Sequence, residues 1–78
     1  MMLYEFLMLD EQQQFRAVWG HGVYIDSVIY NNLDYQLYSI NSFYVEVVYD
    51  AFTNKIVGKQ AFRQGEHLEK YLKKMPLI

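Results

Sequence analysis

Cysteine is absent from the 78 residues, which excludes disulfides, thiolate metal sites and cysteine nucleophiles together. Proline occurs once, at Pro76, and the four glycines, Gly20, Gly22, Gly58 and Gly65, do not cluster into a phosphate-binding loop. No apolar run approaches the about 18 to 20 residues of a membrane span. The opening stretch Met1 to Leu9 is apolar but carries Glu5, has no basic leader and stops at Asp10-Glu11 without a small-residue cleavage site. The expectation is therefore a soluble, cytoplasmic protein with no membrane partner. An excess of either charge is missing too: seven basic against nine acidic residues leave a net charge of −2, which gives no general affinity for polyanions. Low-complexity sequence is confined to Gln12-Gln13-Gln14, and no internal repeat is visible.

What the chain does have is apolar and aromatic. A hydrophobic fraction of 53% is too high for disorder, and aromatics reach 18% with eight tyrosines among them. The length allows one domain, 1–78, and a chain of this mass buries only about 63% of its unfolded surface, so it is marginally stable on its own. With no staple available, the core must come from side-chain packing, shared or not with a second copy.

Leu3, Phe6, Leu7 and then Phe15, Val18, Trp19 recur at helical spacing. Between them Asp10-Glu11-Gln12-Gln13 matches a capping box. Two short helices are expected, about 2–8 and 11–19, with Asp10 as the second N-cap and one continuous helix as the alternative. Gly20-His21-Gly22 is expected to end the second helix, glycine supplying a left-handed turn. From Val23 to Arg63 the period changes to two. Strands are expected at about 23–30, 34–40, 43–49 and 56–62, separated by Asn31-Asn32, by Asn41-Ser42 and by a longer loop in which Asn54 takes the left-handed position. Connections this short join antiparallel neighbours, so the strands should run in a 1-2-3-4 meander. A last helix is expected over 66–75, with Leu68, Tyr71, Leu72 and Met75 on one stripe, and Glu66 and Glu69 preceding Lys70, Lys73 and Lys74. Pro76 stops it. The fold class is α+β: a four-stranded antiparallel meander with two short N-terminal helices and one C-terminal helix packed on one face.

Alternation places Phe43, Val45, Val47 and Tyr49 inward and Tyr44, Glu46, Val48 and Asp50 outward. The second strand divides less cleanly, Tyr35, Leu37 and Ser39 against Gln36, Tyr38 and Ile40. Tyr38, Ile40, Tyr44 and Val48 are therefore read as lining a mostly apolar outer sheet face, interrupted by Glu46 and Lys59, and as the candidate interface. Such a tyrosine-rich face suits a homodimer contact or another protein partner. The plainer reading is that tyrosine is a good strand residue and that these rings lie scattered. Phe6, Phe15, Trp19, Phe43, Phe62 and Tyr71 are assigned to the core.

Catalytic constellations are not evident. His21 and His67 lack a metal-binding spacing, Ser27, Ser39 and Ser42 lack a nucleophile context, and Asp26, Glu46 and Asp50 alternate with apolar residues as solvent-facing strand positions should. No cofactor, metal or catalytic residue is assigned, and the chain is not expected to be an enzyme. Lys55, Lys59 and Arg63 recur at four-residue spacing, which together with exposed rings would suit single-stranded nucleic acid or a small ligand. With nine acids elsewhere this is the alternative rather than the first reading.

The stretch Ser42-Phe43-Tyr44-Val45-Glu46-Val47-Val48-Tyr49-Asp50, followed by Thr53-Asn54-Lys55-Ile56, Ala61-Phe62 and Leu68-Glu69-x-Tyr71-Leu72, resembles small uncharacterised bacterial proteins of the Bacteroidetes type. Leu9-Asp10-Glu11, Trp19 and Gly22-Val23 are similar as well. The resemblance implies a bacterial, cytoplasmic, single-domain protein with a helix-sheet fold and carries over no functional residue. The expected function is a small non-enzymatic protein-protein interaction domain that forms a homodimer through its outer sheet face.

Overall fold

The computed structural model describes residues 1–63 together with Gly65, Leu68, Tyr71 and Leu72. Two helices, α1 (Leu3–Leu7) and α2 (Glu11–His21), precede four strands, β1 (Val23–Tyr30), β2 (Leu33–Ile40), β3 (Phe43–Asp50) and β4 (Ile56–Phe62). The strands form one antiparallel sheet in the order β1-β2-β3-β4, so α+β with a meander is the architecture. Of the helix expected over 66–75, all but Leu68, Tyr71 and Leu72 lies outside the described residues.

Local chemistry sets the boundaries. The Asp10 carboxylate accepts from the Gln13 amide at 2.8 Å and the Gln13 side chain accepts from the Asp10 amide at 3.1 Å, so the chain breaks at Asp10 and α2 starts there. Gln14 Nε2 donates to the Phe6 carbonyl at 3.0 Å and ties α2 to α1. The hairpin between β1 and β2 turns on Asn31 and Asn32, both at positive φ (52° and 65°), as a two-residue loop of type I′ requires. Asn41 and Asn54 also take positive φ. In the β3–β4 loop the Asp50 carboxylate accepts from the amides of Phe52 and Thr53 at 2.8 and 3.0 Å.

The end of α2 differs from expectation. The helix runs through His21 and closes at Gly22, whose φ of −74° and ψ of 145° are extended, not left-handed. Glycine is needed there for space: a Cβ at residue 22 would stand 2.5 Å from the Val18 carbonyl oxygen, which accepts from the Gly22 amide at 2.9 Å.

Register decides which side chains share a face. On the first face, Ile40 lies opposite Phe43 and Tyr38 opposite Val45, and these pack with Val47, Phe6, Ala17 and Val18 into the main core. The second face carries a smaller core of Val28, Leu37, Phe62 and Tyr71, with Tyr35, Tyr44 and Leu68 against it. This corrects the one-face arrangement: α1 and α2 cover the first face, while Leu68 and Tyr71 pack on the second. Two bulges adjust the edges. Ile25 is the extra residue between Tyr24 and Asp26 in β1, and Val57 interrupts the pairing of β4 with β3.

Candidate interaction surface

The four residues expected on one outer face are divided between two. Ile40 is buried and Tyr38 half-buried on the helix-covered face, because a two-residue loop at Asn41-Ser42 pairs them with the inward Phe43 and Val45. Tyr44 and Val48 lie on the opposite face, where Tyr44 stacks on Phe62 with ring centroids 6.0 Å apart. The sheet therefore does not assemble Tyr38, Ile40, Tyr44 and Val48 into one patch.

Glu46, expected in solvent, is completely buried on that second face. Its carboxylate accepts from Gln60 Nε2 at 3.0 Å and from the Tyr71 hydroxyl at 2.7 Å. A buried acid is tolerable only with such donors around it. Burial first, and the bond to Glu46 second, push the ionisation of the Tyr71 phenol far above its ordinary range. Tyr71 thus remains a neutral donor, and the Glu46–Tyr71 bond fastens Tyr71 to the sheet.

An aromatic line that strand alternation did not reveal runs from α2 over β2 to β1 on the helix-covered face. Phe15 and Trp19, one helical turn apart, stack at 6.0 Å; Trp19 meets Tyr38 edge-on at 5.6 Å; Tyr38 meets Tyr24 at 5.9 Å. Trp19, which the periodicity assigned to the core, is 50% exposed, and Tyr24, at the far end of the line, and Ile25, next to it in the chain, are 53% and 50% exposed. The signal was present in the sequence as Phe15 and Trp19 at i and i+4, but the ring that Trp19 meets, Tyr38, lies on β2 and cannot be read from helical spacing. β1 is an open edge of the sheet. It is blunted by the bulge at Ile25 and by Asp26, whose carboxylate accepts from the Ser27 amide at 2.8 Å.

Next to this line lies a polar row on the same face. The Tyr38 hydroxyl donates to Gln36 Oε1 at 3.2 Å, and Gln36 Nε2 donates to Asp34 Oδ2 at 3.2 Å. Asp34 Oδ1 is buried and has no hydrogen-bond partner among the described residues. Burial chiefly pushes the phenol pKa of Tyr38 and of Tyr49 upward, with the negative charge of Asp34 adding to both.

The other candidates fall apart spatially. His21 is exposed and borders a shallow depression of about 240 Å³ with Met1, Leu9, Gln13, Arg16 and Ala17, where its charged neighbour is a base instead of the carboxylate a catalytic histidine needs. His67 lies outside the described residues. Of the basic series, Lys59 donates to Gln14 Oε1 and sits 5.3 Å over the Phe15 ring. It serves to hold α2 on β4, so Lys55, Lys59 and Arg63 do not make a free basic stripe. Among the described residues no group of three or more His, Asp or Glu side chains is placed to hold a metal ion, and no helix is long and apolar enough to cross a membrane. Comparison with known proteins gives no match to a family model, a curated protein or a solved structure.

Proposed function

We propose that this chain is a small, non-enzymatic protein-interaction domain that pairs with a second copy of itself through the patch of Trp19, Tyr24 and Ile25, backed by Tyr38. The observation that carries this reading is the half exposure of Trp19 and Tyr24 within one continuous line of ring contacts. Aromatic side chains of this kind concentrate at interfaces because each buries a large area at small entropic cost. Trp19, Tyr24 and Ile25 expose on the order of 300 Å² between them, a centre for the about 800 Å² that each partner of a stable complex contributes. A net charge of −2 per copy opposes pairing only weakly. The same rings would suit base stacking, but the net charge of −2 gives no general pull on a polyanion, and this favours a protein partner.

Sedimentation of wild type and Trp19→Lys tests the proposal. A dimer that the substitution dissociates is expected. A wild type that stays monomeric at about 100 µM, a concentration that would populate even a weak dimer, refutes it.

A further inference from the structure

We propose that the depression beside α2 binds a small organic carboxylate, a monoanion with a short apolar body. Such a site needs no second copy and is separate from the self-association patch. Gln13, Ala17 and His21 succeed one another at four-residue spacing and Arg16 stands one turn after Gln13, so these four side chains of α2 share one flank of the helix. Met1 and Leu9 form the facing wall, and the six residues together line about 240 Å³. Asn41 Nδ2 donates to the Met1 carbonyl at 2.9 Å, and Leu9 packs against the main core, so that wall is held in place. Gly20, on the same flank, has open space where a Cβ would stand and contributes no side chain to fill it.

The polar side chains of the lining all present donors. Gln13 engages its side-chain oxygen with the Asp10 backbone amide at 3.1 Å, which leaves its N–H groups to offer. Arg16 carries five N–H donors and a permanent charge, and His21 donates through at least one ring N–H in either protonation state. All three are exposed, so a ligand reaches them from solvent. No carboxylate lines the depression among the described residues, and Asp10, which precedes the helix, turns its own to the Gln13 backbone amide. An anion is the complement, and the Arg16 fork offers a carboxylate two parallel N–H groups. The wall decides which anion. Met1, Leu9 and Ala17 give an alkyl chain a surface on which to leave water, whereas inorganic phosphate, polar on every side, gains nothing from them. Size sets the length: at about 30 Å³ for each water-sized group, 240 Å³ holds about eight non-hydrogen atoms, those of a six-carbon acid.

The test follows the Gln13 side-chain amide, the Ala17 methyl group and the His21 ring by NMR at neutral pH and constant ionic strength. Hexanoate, its neutral isostere hexanamide and inorganic phosphate are each added to about 20 mM, since a ligand this small binds at about millimolar strength. Saturable shifts with hexanoate, absent with hexanamide and with phosphate, are expected. Arg16→Gln changes an exposed side chain, removes the charge and the fork, and should weaken hexanoate binding about tenfold or more. Equal binding of hexanamide, equal binding of phosphate, unchanged binding of hexanoate by Arg16→Gln, or no saturable shift in wild type overturns the proposal. If Arg16→Gln does not fold, the contrast of hexanoate with hexanamide and phosphate in wild type decides alone.

Discussion

Replacing Tyr71 by Phe removes one oxygen and nothing else from the smaller core. That oxygen donates at 2.7 Å to Glu46, a carboxylate with 0% exposure whose other oxygen accepts from Gln60. A hydrogen bond to a charged group contributes about 1.5 to 3 kcal/mol. A chain of this length is stable by roughly 4 to 12 kcal/mol, so the loss is a large share of the total. Tyr71→Phe should lower the urea midpoint at an unchanged slope and lower Tm by about 8 to 16 °C, taking about 2 kcal/mol. Glu46→Gln should cost less, because a turn of the Gln60 amide restores one bond. The double variant should cost less than the two single changes added together, because both act on the same bond. A Tyr71→Phe protein within about 0.5 kcal/mol of wild type, with strictly additive cycles, would show that Glu46 does not fasten Tyr71 to the sheet.

Other outcomes follow from the same physical arguments. Gly20 lies inside α2 with open space where a Cβ would go, so Gly20→Ala should stabilise by about 0.5 to 1 kcal/mol in a thermal melt. Gly22→Ala drives a methyl group against the Val18 carbonyl and should destabilise by about 1 to 3 kcal/mol; equal effects at the two sites would discredit the account of the helix end. The Tyr71 phenol ionises less readily folded than unfolded, so its contribution is complete below the ordinary tyrosine value of about 10 and fades as pH rises above it. Wild type should lose stability there faster than Tyr71→Phe. Asp50 has the opposite sign: amides of Thr53 and Phe52 hold its carboxyl below the usual range. Its contribution is present above about pH 3.9 and is lost as pH falls through the depressed value, a limb that Asp50→Asn should flatten in melts recorded across acid pH.

The local signals in this sequence were strong because they depend on neighbours in the chain. Asp10 and Gln13 specify a helix start by themselves, and Asn31-Asn32 can turn a hairpin without help from the rest of the protein. Facing was harder. In β2 both alternating sets contain apolar and polar residues, so alternation alone could not say whether Tyr38 or Tyr35 points to the helices. The two-residue loop at Asn41-Ser42 held the answer, since it pairs Ile40 with Phe43 and Tyr38 with Val45, and paired residues share a face. Glu46 was misplaced for another reason: a carboxylate at an alternating position belongs in water unless distant donors reach it. Tyr71 is 25 positions away, and no periodicity reports such a contact. The bulge at Ile25 likewise depends on pairing across strands, and the exposure of Trp19 depends on where α2 crosses the sheet.

Self-association through the Trp19 patch is the central claim, and Trp19 is the chain's single tryptophan, so its emission reports on that surface alone. Sedimentation velocity with parallel tryptophan emission, taken from about 1 to 100 µM, is the direct measurement. The account predicts a monomer-dimer transition accompanied by a blue shift of Trp19, both abolished by Tyr24→Lys in a folded protein. A dimer formed with unchanged emission and insensitive to Tyr24→Lys, or a monomer throughout, would contradict it.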